Sequence, residues 1–292
     1  DNVIHRQKKI QSSLNKQRSI TLFHSGIKSE ATRKSYSWYL DLFLNHFMIK
    51  SYDKLLTIEP KKLQEMIEDY LIYEKSRNIS ASFIAGKICA LKLFFAMNDV
   101  TLNWIKLQKM IPEKTKSAGD LAYTTEQIDT LLKHNSHSFY RALIHFMASS
   151  GVRVGAFREL KMSHLKDMPN GCKSVLVYAD TIHEYHTFIH KEAVESLNEY
   201  LDSRRKKGEI INDDSWVFCS PRDCKKSSQV HTMSAGLCRY VTKTFGRKKV
   251  SEHRYDLMSC HGFRKRFATV LKSNNAVNRN ITERLMGHSV SI

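Results

Sequence analysis

The chain has 292 residues, of which 41% are hydrophobic, with only 11 glycines and 4 prolines. That is enough apolar material for a real core, and too little glycine and proline for a collagen-like, loop-rich or largely disordered chain. Lys and Arg number 47 against 29 Asp and Glu, a net charge of +18. A surplus of this size points to a polyanionic partner, nucleic acid first, because phosphate contacts release counterions and bind without regard to sequence. A merely basic coat on a soluble protein is the plain alternative. No apolar run is long enough to cross a bilayer, and no secretory signal is present. The expected place is the cytoplasm, on the nucleoid, with no membrane partner. The cysteines at 89, 172, 219, 224, 238 and 260 follow no disulfide framework, as expected of reduced thiols. Cys219 and Cys224 with His231 fit no good zinc spacing, so neither a metal nor any other cofactor is expected.

Residues 1–27 are polar and basic (His5, Arg6, Lys8, Lys9, Lys16, Arg18) and read as an arm or an extra helix. Helical patterning begins at Ser29, a good N-cap. Tyr36, Tyr39, Leu40, Phe43, Leu44 and Phe47 follow on one face, with Arg33 and Lys34 off it. A second helix is predicted from Thr57, with Pro60 in its first turn. A third starts near Ser80 and carries Phe83, Ile84, Ile88, Leu91, Phe94 and Phe95. Residues 28–110 thus read as an all-helical unit whose aromatic stripes form its core. Residues 111–122 lose the periodicity and read as a linker; Lys114 and Lys116 there suit a strap along a phosphate backbone.

The second unit, 123–292, opens on a capping box, Thr124 with Gln127. A helix over 138–150 ends at Gly151, a natural C-terminal residue. Residues 175–178 and 187–189 read as two short strands joined by a turn near 180–183. Helices return at 193–201, 233–245, 261–272 and 280–286. Basic clusters at Arg204 and Arg205, Lys225 and Lys226, and Arg247 and Lys248 punctuate the rest and are candidate phosphate contacts.

Three segments carry candidate chemistry. Arg153 follows Gly151 at the expected mouth of a helix, where a planar guanidinium can face an oxyanion. His261 and Arg264 are three apart, hence on one helical face, with Phe263 and Phe267 on the buried one. Gly287 lets a helix end tightly before His288. Each alone is usually structural: an isolated H-x-x-R is a common accident, and a Gly-His pair is more often a cap. In this order, in one basic helical unit, they are specific.

Taken together the segments resemble the tyrosine recombinase and phage integrase family, by motif over about 120–292 and by helix content over 28–110. The resemblance implies a mainly α fold with a small β-sheet: a helical core-binding (DNA-binding) domain and a mixed α+β catalytic domain. It implies that Arg153 and Arg264 are the family's arginine pair, that His261 is its first histidine and His288 its second, and that all four bind a scissile phosphate. It implies site-specific cutting and rejoining of double-stranded DNA through a 3′-phosphotyrosine. The two units would close around the duplex as a clamp, as a homotetramer on DNA and a monomer or dimer when free. A non-catalytic DNA-binding relative and a type IB topoisomerase are the competing readings.

Two departures from the family pattern stand out. The attacking tyrosine belongs on a helix just after His288, and the sequence stops at Ile292; Tyr240 and Tyr255 precede the wrong motifs. The expectation is that the tyrosine lies beyond position 292 and that residues 1–292 alone do not cleave. The family's hairpin-turn lysine, acid to the leaving oxygen, is also missing: Ile182 stands in its place, with Lys173 and His183 as nearby alternatives. Ala156 occupies a position commonly acidic in the family.

Overall fold

A computed structural model describes residues 18–113, 121–246, 248–251, 254–256 and 259–289. The N-terminal arm up to residue 17, Lys114, Lys116 and Arg247 lie outside the described residues. The chain divides into two compact units, residues 1–116 and 117–292.

In the first unit α1 (Arg18–Ser25) leads into α2 (Glu30–His46). The Ser29 hydroxyl accepts from the Thr32 N–H at the start of α2. Next come α3 (Tyr52–Leu56), α4 (Pro60–Ser76), α5 (Ala81–Met97) and α6 (Trp104–Met110). The sequence starts α4 at Thr57, whereas that residue ends α3, and α4 begins at Pro60. The proline explains the shift: its ring pushes the preceding Glu59 out of the helical region, to φ −56° and ψ 135°. Phe43, Leu63, Ile67, Tyr70, Phe94 and Phe95 are buried together. Lys87 lies in that core, and its ammonium meets Glu74 at 2.7 Å.

The second unit opens with α7 (Thr125–Lys133) on its Thr124–Gln127 capping box. The central helix α8 (Ser138–Ser150) ends at Gly151, whose φ of +62° suits glycine. A side chain there would also come within 2.4 Å of the Phe267 ring. A short 3-10 turn (Val154–Arg158) follows. Then β1 (Leu165–Asp167), β2 (Lys173–Val177) and β3 (Tyr185–Ile189) form an antiparallel sheet in that order. The helix α9 (Lys191–Arg205) packs on α8. The remainder is β4 (Cys219–Ser220), β5 (Asp223–Ser227), α10 (Val230–Phe245), β6 (Lys249–Ser251), β7 (Arg254–Tyr255), α11 (Ser259–Ser273) and α12 (Arg279–Leu285). Phe139, Phe146, Phe157 and Phe218 pack edge to face, with ring centroids 5.0–5.9 Å apart, at the centre of this unit. Strand β1 and the two small hairpins β4–β5 and β6–β7 are absent from the sequence reading; at two to five residues each they are too short for alternation to show. Among the described residues, no helix is long and apolar enough to cross a membrane.

Candidate active site

The site begins with where the chain delivers Arg264. It lies one turn into α11, buried between Phe263 and Phe267 on the side facing the core. Its Nη1 donates to the Gly151 carbonyl at 2.6 Å, and its Nη2 donates to the Met286 carbonyl. Nη2 also meets His288 Nε2 at 3.1 Å. One side chain therefore ties together the three segments singled out in the sequence: the end of α8, the start of α11 and the end of α12. The sequence reading gives the whole fork to a phosphate. The structure spends part of it on two main-chain carbonyls and on His288.

Among the described residues no carboxylate pairs with Arg264. Burial is the main force lowering its pKa from the ordinary guanidinium value, and the nearby Arg153 charge lowers it further. Tyr185 and Tyr178 work in the opposite direction. Burial raises the pKa of both phenols, against the pull of Arg153 and Arg264. Two guanidiniums and two phenols thus share one electrostatic neighbourhood.

Arg153 is exposed, with an extended backbone (φ −67°, ψ 136°), just before the 3-10 turn. That turn replaces the helix expected there, and five residues are too few to add a helix-end field. With Tyr178, His183 and Gly287, Arg153 lines a cavity of about 350 Å³. A neighbouring groove is lined by His183, Tyr185, Gly287 and His288 among others. Gly287 is forced to be glycine twice over. Its φ is +63°, and a Cβ would stand 2.5 Å from the Tyr185 ring. His261 lies in the first turn of α11, exposed, three residues before Arg264.

His288 is held from both sides. Its Nδ1 meets Glu283 Oε2 at 2.5 Å, and the other Glu283 oxygen accepts from Lys272 Nζ at 2.6 Å. Lys272 and the Nδ1 contact both lower the Glu283 pKa, Lys272 the more. Neither Glu283 nor Lys272 was singled out in the sequence. The signal was there in part: Glu283 is five residues before His288, across the last turn of α12.

The hairpin between β2 and β3 holds the turn in which no lysine occurs. Lys173 pairs with Ile189 at the far end of the sheet and binds Asp167 at 2.5 Å. From Val177, at the turn end of β2, it is about 13 Å away along the strand. It is therefore no substitute for a turn lysine. Ile182 is apolar and almost wholly exposed. His183 lies in this turn and, with the Tyr178 phenol, borders the cavity. The turn is well fixed: the Asp180 N–H donates to Glu184 at 2.8 Å, and Thr181 Oγ1 donates to the Tyr178 carbonyl at 2.8 Å. Ala156 is buried in the core.

Of the basic candidates, Arg33, Lys34, Arg205, Lys225, Lys226 and Lys248 are exposed. Arg204 is a correction. It is 3% exposed, and both its Nε and Nη2 bind the Glu209 carboxylate, at 2.8 and 2.5 Å. Its Nη1 holds the Trp216 and Val217 carbonyls. The sequence run of basic residues hid the fact that Arg204 falls on the inner face of α9. His231 is not part of the ligand-type cluster near Cys219 and Cys224; Glu209 is, with donor atoms within 4.8 Å of one another. The Glu209 oxygens are engaged by Arg204, and burial pushes the Cys224 thiol up to about 12.

The model of the phage integrase family matches residues 122–291. The chain belongs to that family, the tyrosine recombinases. No curated protein matches it significantly. Among solved structures it is similar to the Tn1549 transposon integrase (residues 82–397) in complex with circular intermediate DNA, at 15% identity and a TM-score of 0.67, over 93% of this chain and 92% of that one. It is also similar to the XerH site-specific recombinase bound to a palindromic difH substrate, at 17% identity and a TM-score of 0.62, over 88% and 73%. A lambda integrase (75–356) dimer bound to a COC′ core site matches at 17% identity and a TM-score of 0.57, over 94% and 93%. These likenesses establish the fold: mainly helical, with small antiparallel sheets, on the tyrosine-recombinase plan.

Proposed function

We propose that this protein is a site-specific DNA recombinase that cuts and rejoins duplex DNA through a 3′-phosphotyrosine intermediate. One observation carries the reading: Arg264 is a buried cation without a carboxylate partner among the described residues, within the field of a second cation, Arg153, which borders an open cavity. A buried charge without a countercharge is costly unless an anion arrives to complete it. A phosphodiester supplies that anion. Its non-bridging oxygens gain charge in the transition state, where Arg153 and the remaining donors of Arg264 stabilise it. His261 and His288 complete the phosphate site. The covalent link conserves the bond energy, so resealing needs no ATP. His183, on the same cavity as Arg153, is the donor to the leaving 5′-oxygen in place of the missing lysine.

Arg33 and Lys34 on the helical unit, and Arg205, Lys225, Lys226 and Lys248 on the catalytic unit, contact phosphates without reading bases. Lys114, Lys116 and Arg247 take the same role. Joining two duplexes takes four active sites, hence a tetramer on DNA.

The test is a nicked suicide duplex incubated with protein expressed to its natural stop codon. The expected result is protein trapped covalently on DNA, lost in Arg153→Ala by about a hundredfold or more while DNA binding persists. DNA binding without any adduct identifies a non-catalytic relative. Relaxation of supercoils without exchange between sites identifies a topoisomerase.

A further inference from the structure

Strand β3 brings one further polar group to the two arginines. Tyr185 is its first residue, opposite Val177 across the ladder, where β2 and β3 enter their turn. The Tyr185 ring lies so close to Gly287 that a Cβ there would meet it at 2.5 Å. The Tyr178 ring is beside it, with centroids 6.3 Å apart, and Tyr178 and Gly287 both line the Arg153 cavity. The Tyr185 hydroxyl is hidden from solvent and has no hydrogen-bond partner among the described residues. Burial holds its pKa above the ordinary phenol value, against the pull of Arg264 and Arg153, so it is a neutral O–H. A guanidinium can only donate. Arg264 can face the phenol oxygen, but it cannot accept the phenol's proton.

Two other buried phenols mark the difference. The Tyr200 oxygen accepts from the Cys219 N–H at 3.4 Å and lies 3.5 Å from Cys219 Sγ. The Tyr70 hydroxyl also makes no bond, but after burial the strongest influence on it is the Glu74 carboxylate, an anion the fold itself supplies. Tyr185 has cations in that place. A buried donor left without an acceptor costs stability, and such a group calls for an explanation, a bound ion being one.

We propose that the Tyr185 hydroxyl is a further donor to the scissile phosphate, bonding the non-bridging oxygen that Arg264 and Arg153 draw in. This rests on the phosphate-binding reading of the site. An anion entering there completes three groups at once: two cations and a phenol that lacks an acceptor. No proton changes hands; the phenol stays protonated and holds the oxygen. Its bond to a charged oxygen is of the stronger kind, and a site that excludes water strengthens it further. Because the phenol is neutral, it adds no third positive charge to a place where Arg153 already lowers the pKa of Arg264. The strand and the Gly287 contact fix the ring beforehand, so little ordering is left for the moment of binding.

The experiment pairs titration with inorganic phosphate and thermal melts in phosphate-free buffer. Tyr185→Phe removes one oxygen and keeps the ring against Gly287. It should bind phosphate about 10–100-fold more weakly, the loss of one hydrogen bond to a charged group. Without phosphate it should melt no lower than the wild type, because no internal bond is lost. Tyr200→Phe should do the opposite, melting lower while binding phosphate as the wild type does. In proton spectra the Tyr185 hydroxyl, assigned by its absence in Tyr185→Phe, should move downfield when phosphate is added. Phosphate bound as tightly by Tyr185→Phe as by the wild type overturns the proposal and leaves the phosphate-binding reading standing. A clear drop in the phosphate-free melting temperature of Tyr185→Phe also overturns it, since the hydroxyl would then serve the fold. A wild type that binds phosphate no better than Arg153→Ala defeats the phosphate-binding reading, and the role of Tyr185 with it.

Discussion

Two buried arginines of the catalytic unit, 204 and 264, are almost equally hidden from solvent, at 3% and 4% exposure. Their surroundings are opposite. Arg204 has its countercharge built in: Glu209 grips its fork, two carbonyls take the rest, and the hydrogen bonds and charge around it raise its pKa against the effect of burial. Arg264 has carbonyls and an imidazole but, among the described residues, no carboxylate, and a second guanidinium lies close enough to lower its pKa further. The helical unit repeats the first pattern, with Lys87 closed by Glu74. A buried cation that serves the fold comes with its own anion. On the proposed reading, a buried cation with no anion among the described residues marks the place where a ligand supplies it.

This contrast can be broken by substitution, the largest expected effect first. Arg204→Ala leaves Glu209 and two carbonyls without partners, so it should cost about 3–5 kcal/mol of stability. In a thermal melt that is a fall of roughly 10 °C. Binding of inorganic phosphate should not change. Arg264→Lys should do the reverse: a modest change in melting temperature, and loss of the phosphate-induced stabilisation expected of the wild type. If both variants lose stability alike and neither affects phosphate, the two arginines are the same kind of residue and the contrast is empty.

Gly287→Ala sharpens the same point at the backbone. The positive φ alone costs on the order of 1–2 kcal/mol, and the new Cβ collides with the Tyr185 ring. The expected result is a lower melting temperature together with slower cleavage, because the residue lies between the carbonyl that holds Arg264 and His288. Cleavage at the wild-type rate would separate the turn from the site.

The smallest effect concerns pH. Arg204 holds the Glu209 carboxyl below its usual value of 4.5. The stability this pair contributes is complete above that value and is lost as pH falls through the lower, folded-state value. Urea melts across that acid range should show a steeper loss for the wild type than for Glu209→Gln. Equal slopes would mean that the pair contributes nothing to the acid sensitivity.

Much of the architecture was legible before any coordinates. Ser29, Ser80 and Thr124 cap helices because a hydroxyl acceptor before an apolar stripe has one good use, and all three do so here. Gly151 and Gly287 were recognisable because a left-handed residue at a helix end is nearly always glycine. The shorter elements were illegible because too few residues repeat. The site was legible as three segments, not as a geometry. Nothing local to the sequence says that Arg264 reaches the Gly151 and Met286 carbonyls, 113 and 22 residues away. Nothing local says that Arg204, in a run of basic residues, points inward to Glu209. Charge runs record composition, whereas burial and partners are set by how α9 and α11 lie against α8.

The most direct test of the central claim is anomalous diffraction from crystals soaked in tungstate, a tetrahedral oxyanion that scatters strongly. The account predicts a peak within hydrogen-bonding distance of the Arg153 and Arg264 guanidiniums and of His288, and no such peak in crystals of Arg153→Ala. Peaks confined to surface lysines such as Lys225 and Lys226, with the cavity at Arg153 empty, would contradict it.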